Sequence, residues 1–211
     1  MRLDFNLLTA RLRQPLPGAD AHEPLRAVPM GSIKPNFEHK TPPKPGSVLI
    51  LLYPEGDSIN FPLTLRADYA GTHSGQISFP GGKAEAGESA IDTALREAEE
   101  EIGINRKDIK VIGTLSQFFV IPSNFLVTPV VAFAEARPSF KSDSFEVAKI
   151  IEGSLEELIK EDAIKTKEIL AAKTYQLMAP HFEIEGEIVW GATAMMLNEF
   201  RMVVRSLEFG M

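Results

Sequence analysis

The stretch GKAEAGESAIDTALREAEEEIGI, residues 82–104, carries most of the information that decides the fold. Between residues 89 and 102 the apolar side chains recur with the period of a helix, and these positions share one face: Ile91, Ala94, Leu95, Ala98 and Ile102. Gly103 follows at the place where a glycine in the left-handed conformation commonly ends a helix. The stretch therefore predicts an amphipathic helix whose apolar face packs in the core.

A second face of the same helix carries Glu97, Glu100 and Glu101, because residues three and four apart are neighbours on a helix. Like charges in this arrangement repel one another, and a bound divalent cation removes the repulsion. Gly81 and Gly82 precede the helix and allow the backbone to approach a phosphate closely. Two interpretations stay open at this point: an acidic face in solvent, or a site for a divalent cation and a phosphate.

The spacing of these residues resembles the Nudix box, Gly-x5-Glu-x7-Arg-Glu-U-x-Glu-Glu-x-Gly-U, where U is a bulky apolar residue. The matching positions are Gly82, Glu88, Arg96, Glu97, Ala98, Glu100, Glu101, Gly103 and Ile104, and all seven fixed residues are present. At residue frequencies of ~5–7%, a chance match of this kind occurs about once in 10⁸ start positions. The resemblance implies an α/β protein with the Nudix fold, in which a mixed β-sheet is sandwiched between helices (α/β/α).

The resemblance also implies a site for Mg²⁺ or Mn²⁺. Glu97 and Glu101 would be metal ligands, Glu100 would be a further ligand or help to activate water, and the carbonyl of Gly82 would join them. Glu100 and Glu97 are therefore the candidate catalytic residues. Glu146, outside the box, is the competing candidate for the general base, although it is more simply interpreted as a surface residue.

The remaining box residues have structural roles by the same resemblance. Glu88 and Arg96 would hold the loop and the helix in shape, with Arg96 able to pair with and orient a carboxylate. Gly103 would end the helix.

The segment before the box, LTLRADYAGTHSGQISFPGG at residues 63–82, resembles the extended motif of coenzyme A pyrophosphatases within the Nudix family. This resemblance implies hydrolysis of the pyrophosphate bond of coenzyme A or acyl-CoA to 3′,5′-ADP and (acyl-)4′-phosphopantetheine. The candidate substrate-binding residues are Arg66, His73, Gly81 and Lys83. One departure is that Gly71-Thr72 stand where that subfamily often has basic residues.

Two other functions remain compatible with the sequence. One is hydrolysis of a different nucleoside diphosphate derivative, such as ADP-ribose, NADH or a dinucleoside polyphosphate. The other is a non-catalytic nucleotide-sensing module, although degenerate Nudix domains usually lose glutamates that are all present here.

Composition restricts the function further. The net charge of −7 disfavours a nucleic-acid partner, whose binding would need a basic surface. The chain has no cysteine, which excludes disulfides and thiol chemistry. No apolar run is long enough to span a membrane, and the N-terminus does not resemble a secretory signal, so we expect a cytoplasmic protein without a membrane partner.

The chain divides into two parts at residue 46. Residues 1–46 contain a predicted helix at 2–13 and a Pro-rich arm, which either packs on the core or reaches a partner subunit. Residues 47–211 are the predicted Nudix hydrolase domain, with a further helix at 154–170 capped by Ser154 and an amphipathic helix at 192–209. Strands are predicted at residues 47–53, 59–66, 75–79, 111–118, 126–134, 146–151, 175–178 and 187–191. The arm and the last helix together suggest a homodimer.

Overall fold

The computed structural model describes residues 3–30, 37–67, 76–171 and 174–208. The α-helices are α1 (Phe5–Leu12), α2 (Ala19–His22), α3 (Ala90–Ile102), α4 (Leu155–Leu158) and α5 (Gly191–Glu208). The strands are β1 (Val28–Pro29), β2 (Lys44–Glu55), β3 (Ser58–Arg66), β4 (Ile77–Ser78), β5 (Gly81–Lys83), β6 (Ile109–Thr114), β7 (Phe118–Val120), β8 (Phe125–Ala134), β9 (Val147–Ser154), β10 (Ile164–Ala171), β11 (Tyr175–Ile184) and β12 (Glu187–Trp190).

The larger sheet is mixed, as predicted. Its strand order is β4-β3-β2-β8-β6, with β5 paired to β2, β7 to β8 and β9 to β3. Strands β2 and β8 run parallel, whereas the other pairs in this sheet are antiparallel. A smaller antiparallel sheet is built on β11, which pairs with β1, β10 and β12. Among the described residues, no helix combines the length and apolarity that a membrane crossing needs.

Strand β2 defines the layers because its side chains alternate between two apolar clusters. Leu49, Leu51 and Tyr53 are fully buried on the side of α3, where they pack with Ala94, Ala98 and Ile102. Ile50 and Leu52 are fully buried in the cluster on the other side, which includes residues of α1 and α5. The sheet therefore lies between helices, and the predicted α/β/α arrangement is confirmed.

The N-terminal segment contributes to this core. Leu8, Leu12 and Leu25 are buried in the cluster that contains α5, which agrees with an arm packed on the core. Strand β2 begins at Lys44 instead of the predicted Ser47. The division of the chain at residue 46 stays a prediction.

The predicted helix at residues 154–170 is wrong. Leu155–Leu158 is α-helical without a side-chain cap bond from Ser154, Glu161–Ala163 forms one 3-10 turn, and Ile164–Ala171 forms strand β10. β10 pairs with β11 over its whole length, from Ile164 opposite Phe182 to Ala171 opposite Tyr175. Backbone pairing with β11, the next strand along the chain, has overridden the helix propensity of the Glu-, Lys- and Leu-rich sequence.

Three smaller expectations also change. The strand predicted at 75–79 is limited to Ile77–Ser78 among the described residues, and Gly81–Lys83, outside the predicted strands, forms β5 against β2. The strand predicted at 111–118 is divided because the chain turns away between β6 and β7, where the Ser116 N–H binds Glu199. Ile91, predicted in the core, is 40% exposed in the first turn of α3.

Candidate active site

Both ends of α3 are fixed by local interactions. Ser89 caps the first turn: its side chain accepts the Asp92 N–H at 3.2 Å, and the Asp92 carboxylate accepts the Ser89 N–H. Gly103 ends the helix with φ 71°, and its N–H donates to the Glu99 carbonyl. A Cβ at Gly103 would lie 2.8 Å from the carbonyl oxygen of Lys141. The predicted glycine end is therefore observed, and the chain packed against it leaves no space for a side chain.

The loop before α3 lies directly against the acidic face of the helix. A Cβ at Gly81 would overlap the backbone of strand β2 at Ser47, and one at Gly82 would lie 2.5 Å from the carboxylate carbon of Glu97. The Gly81 N–H donates to Oε2 of Glu101 at 3.0 Å. Two carboxylates from α3 thus converge on the Gly81-Gly82 backbone, which is possible only without side chains there.

Glu101 is almost completely buried, with 3% of its surface exposed. Besides the Gly81 N–H, its carboxylate has Nη1 of Arg66 at 3.8 Å from Oε1. The pKa of Glu101 is raised to about 7, mainly because the carboxyl group is buried; the hydrogen bond from Gly81 and the charge of Arg66 lower it, and the charges of Glu97 and Glu146 raise it. The site therefore holds a buried carboxylate that has too little positive charge around it.

Glu97 is a second carboxylate of this kind, held between Gly82 and Arg96. Burial raises its pKa, the hydrogen bond from Arg96 lowers it, and the charges of Glu100 and Glu146 raise it again. The Arg96 Nη1 lies 2.9 Å from Oε1 of Glu97.

Arg96 connects the parts of the box. Its guanidinium donates to both oxygens of Glu88, at 2.7 and 3.1 Å, and to Glu97. It also reaches Glu100 at 3.1 Å and the Lys83 carbonyl at 3.1 Å. The hydrogen bond from Arg96 lowers the pKa of Glu88 to about 2. This bidentate pair connects the loop at Glu88 to the helix, in the geometry expected from its predicted role.

The three glutamates predicted to share one face are divided into two groups. Glu97 and Glu101 lie against Gly81-Gly82, whereas the Glu100 side chain is 59% exposed and bonded to Arg96. Across the described ranges, no three His, Asp or Glu side chains are gathered into one metal-binding cluster. Mg²⁺ is commonly held by one or two carboxylates, with water and phosphate completing its shell, so the Glu97 and Glu101 pair fits a hard divalent cation.

Glu146 also lies at this site. It is 44 positions beyond the end of α3, and it belongs neither to the box nor to a helix or strand. The turn that carries it is bound to the end of α3 by the Asp143 N–H, which donates to the Glu101 carbonyl at 3.0 Å. The Ala67 N–H, next to Arg66, donates to the Glu146 carbonyl at 2.9 Å. The exposed Glu146 side chain is close enough for its charge to raise the pKa of Glu97 and Glu101.

The predicted substrate-binding residues have different positions. Arg66 lies beside Glu101, Gly81 donates its N–H to the same carboxylate, and Lys83 is exposed at the end of β5. His73 lies outside the described residues, as does Gly71-Thr72. Glu146 was named as a candidate from the sequence, but the rest of the turn at residues 143–147 was missed as part of the site. The sequence signal for that turn is Asp143, whose side chain can accept the backbone N–H two residues further along the chain.

A cavity of about 400 Å³ lies elsewhere, between the β9–α4 region and strands β10 and β11. Its lining includes Glu152, Ser154, Lys165 and Phe182, and it contains no residue of the box. The candidate site is therefore located by the carboxylates and not by this cavity.

Known proteins share this box and this fold. The model of the NUDIX domain matches residues 43–175. The uncharacterized Nudix hydrolase NudL of Yersinia pestis (strain Pestoides F) is 34% identical over 153 residues, which cover 67% of this chain and 71% of that relative. NudL of Yersinia pseudotuberculosis serotype O:1b (strain IP 31758) matches to the same extent.

Two solved structures agree at the level of the fold. The Nudix hydrolase RenU from M. smegmatis has a TM-score of 0.51 and 16% identity, covering 78% of this chain and 88% of that one. The MutT protein from Methanosarcina mazei Go1 has a TM-score of 0.50 and 18% identity, covering 82% of this chain and 98% of that one.

This chain belongs to the Nudix family and is a pyrophosphohydrolase of that family. Enzymes of the family generally use divalent cations and act on small nucleotide-like substrates.

Proposed function

We propose that this protein hydrolyses the pyrophosphate bond of coenzyme A or acyl-CoA, giving 3′,5′-ADP and (acyl-)4′-phosphopantetheine. The observation that carries the hydrolytic part is the convergence of Glu97 and Glu101 on the backbone of Gly81-Gly82. The support for coenzyme A is the similarity of residues 63–82 to the extended motif of coenzyme A pyrophosphatases.

Glu97 and Glu101, together with the carbonyl of Gly82, would hold Mg²⁺ or Mn²⁺. When bound, such a cation neutralises charge on the phosphates and makes a water molecule more acidic. The two carboxylates are already positioned for the cation, and their charges are only partly balanced by Arg96 and Arg66. That arrangement would stabilise the protein with cation and substrate bound, relative to the protein without them.

The general base is Glu100 in this proposal, with Glu146 as the alternative. Arg96 donates to Glu100 at 3.1 Å and so restricts the position of its carboxylate. Glu146 is held near Glu97 and Glu101 through its backbone. Comparison of Glu100→Gln with Glu146→Gln distinguishes the two, because loss of the base lowers kcat and removes the limb of the pH–rate profile that it controls.

Substrate phosphates would be bound by cations and N–H groups around the loop. Arg66, beside Glu101, and Lys83, exposed at the end of β5, would supply the positive charge, and His73 stays a predicted contact. Arg66 would exchange part of its interaction with Glu101 for a phosphate oxygen once a cation reaches that carboxylate. Arg66→Gln should therefore raise KM more than it lowers kcat.

The test is a product assay by mass spectrometry. The purified protein is incubated with coenzyme A, dephospho-coenzyme A, ADP-ribose and NADH, first with Mg²⁺ and then with Mn²⁺. Cleavage of coenzyme A to 3′,5′-ADP as the preferred reaction supports the proposal. Preference for ADP-ribose or NADH would overturn the coenzyme A assignment and keep the hydrolase.

The alternative substrate is another nucleoside diphosphate derivative, favoured by Gly71-Thr72 in place of basic residues. A ratio of kcat/KM near one for coenzyme A and dephospho-coenzyme A would support it, because the 3′-phosphate would then be unrecognised. Absence of turnover with either metal would instead support the nucleotide-sensing module.

The homodimer also stays a prediction, and a monomeric mass by light scattering at micromolar concentration would contradict it.

A further inference from the structure

Phe145 is an aromatic side chain with 90% of its surface exposed, in the turn that carries Glu146. Exposed apolar residues are ordinary on protein surfaces when they are scattered and mobile. This one differs because its backbone is held in place and because it directly precedes a residue whose charge acts on Glu97 and Glu101.

The turn is fixed by Asp143. The Asp143 carboxylate accepts the Phe145 N–H at 2.8 Å, and its carbonyl accepts the Glu146 N–H at 3.2 Å and the Val147 N–H at 2.8 Å. The Asp143 N–H itself donates to the carbonyl of Glu101. The backbone at Phe145 is therefore held beside the end of α3 that carries Glu101, and little backbone entropy is lost when a flat partner stacks on the exposed ring.

The substrate part that fits this ring is a nucleobase. A purine has a flat aromatic face that stacks on phenylalanine, whereas a pantetheine chain and a ribose do not. A neutral ring also suits a neutral base in a region where Glu97, Glu101 and Glu146 disfavour further negative charge. We propose that Phe145 is the stacking platform for the nucleobase of the substrate, which rests on the proposed function and specifies which end of the substrate faces this turn.

Fluorescence of a substituted ring gives a direct test of contact. In Phe145→Trp, the new indole should be quenched by AMP and not by ribose 5-phosphate, since the two ligands differ only in the base. Phe119→Trp is the matched control: Phe119 is 40% exposed, lies on β7 and makes an edge-to-face contact with His39, outside the box. It should show no AMP-dependent change beyond that of the wild type with its own Trp190. Equal quenching of both variants, or no quenching of Phe145→Trp, would overturn the proposal.

Kinetics gives the second test. Phe145→Ala should raise KM for the preferred diphosphate substrate by about 5- to 10-fold, the lower range for loss of one base stack, and leave kcat within about twofold. Phe119→Ala should match the wild type. An unchanged KM in Phe145→Ala, with an active wild type, overturns the stacking and leaves the hydrolase intact.

The remaining outcomes are also distinguishable. An inactive wild type with both metals argues against the proposed function, whereas quenching of Phe145→Trp by AMP would still support the stacking platform. A fall in molecular mass of Phe145→Ala by light scattering, with unchanged AMP binding, would assign the ring to contact with a second copy of the chain and overturn the proposal.

Discussion

Two buried glutamates in this protein have opposite surroundings. Glu199 on α5 is fully buried, and Glu101 on α3 is 3% exposed. Burial alone raises the pKa of both carboxyl groups. At Glu199, hydrogen bonds reverse this effect and the pKa is lowered, whereas at Glu101 they do not and the pKa is raised to about 7.

The difference lies in the partners. Glu199 accepts the Gly18 N–H at 3.0 Å and the Ser116 N–H at 3.3 Å, and its second oxygen lies 3.0 Å from Nε2 of His22. Glu101 has one backbone N–H and the more distant Arg66. A buried polar group with complete hydrogen bonding holds the structure together, whereas an incompletely balanced one indicates a place where a ligand supplies the missing charge.

The largest expected effect is on turnover. Glu101→Gln should lower kcat/KM about 10³-fold, because a residue that helps a cation to stabilise charge contributes several kcal/mol to the reaction. The protein should stay folded, because the substitution removes a buried charge and keeps the shape. The measurement is steady-state hydrolysis together with thermal unfolding.

Glu99→Gln is the matched control for that experiment. Glu99 is on the same helix but bonds to the exposed Arg106 outside the box, so its variant should keep near-normal activity. Near-normal activity in a folded Glu101→Gln protein would remove Glu101 from the proposed metal site.

The next effect is on stability. Glu199→Ala should destabilise the protein by about 3–5 kcal/mol, because several buried donors lose their acceptor at once and each unsatisfied group costs about 1–3 kcal/mol. Two backbone N–H groups and His22 lose their acceptor, which weakens the attachment of the N-terminal segment to α5. Activity per folded molecule should be unchanged. Urea unfolding measures the first, and activity normalised to the folded fraction measures the second.

The opposite outcome at Glu199 is equally informative. A folded Glu199→Gln protein that loses activity would place this residue in the reaction, and the comparison between a structural and a functional glutamate would fail.

The distance in sequence between a residue and its contacts also explains what the sequence could predict. The box residues are local, within one loop and one helix, so spacing alone located Glu97, Glu101 and the glycine at each end of the segment. Strand β2 was likewise visible as a continuous apolar run. These features depend on neighbours a few residues away.

Features that depend on distant partners were not predictable in this way. Glu199 stands within a helix whose buried side chains are mostly apolar, and nothing local indicates that Gly18, His22 and Ser116 meet it. Strand β10 is a different case, because its partner β11 is the next strand along the chain, and the helix-forming sequence of β10 concealed that pairing. The turn at Asp143 became part of the site only through its contact with the end of α3.

The two glutamates also predict opposite responses of stability to pH in the metal-free protein. The raised pKa of Glu101 means that its share of stability is present below pH 4.5 and is lost as pH rises towards about 7. This amounts to at most about 3 kcal/mol. The lowered pKa of Glu199 means that its share is present above pH 4.5 and is lost as the pH falls through the lowered value.

Urea unfolding with a chelator, from pH 3 to pH 8, measures both. Glu101→Gln should flatten the decrease between pH 4.5 and about 7, and Glu199→Gln should flatten the decrease on the acid side. A Glu101→Gln curve parallel to the wild type would show that this carboxylate is not the source of the pH dependence.

The smallest expected effect is the gain in the free energy of unfolding when a cation binds the folded protein. At pH 8, adding Mg²⁺ or Mn²⁺ at about 100 times its dissociation constant should stabilise the wild type by about 2.7 kcal/mol, because a ligand that binds only the folded state shifts unfolding by mass action. Glu101→Gln should lose most of this gain, and Glu199→Gln should keep it despite its lower starting stability. Equal gains in both variants would mean that the cation binds elsewhere, and the incompletely balanced charge at Glu101 would need a different ligand, such as a cationic group of the substrate.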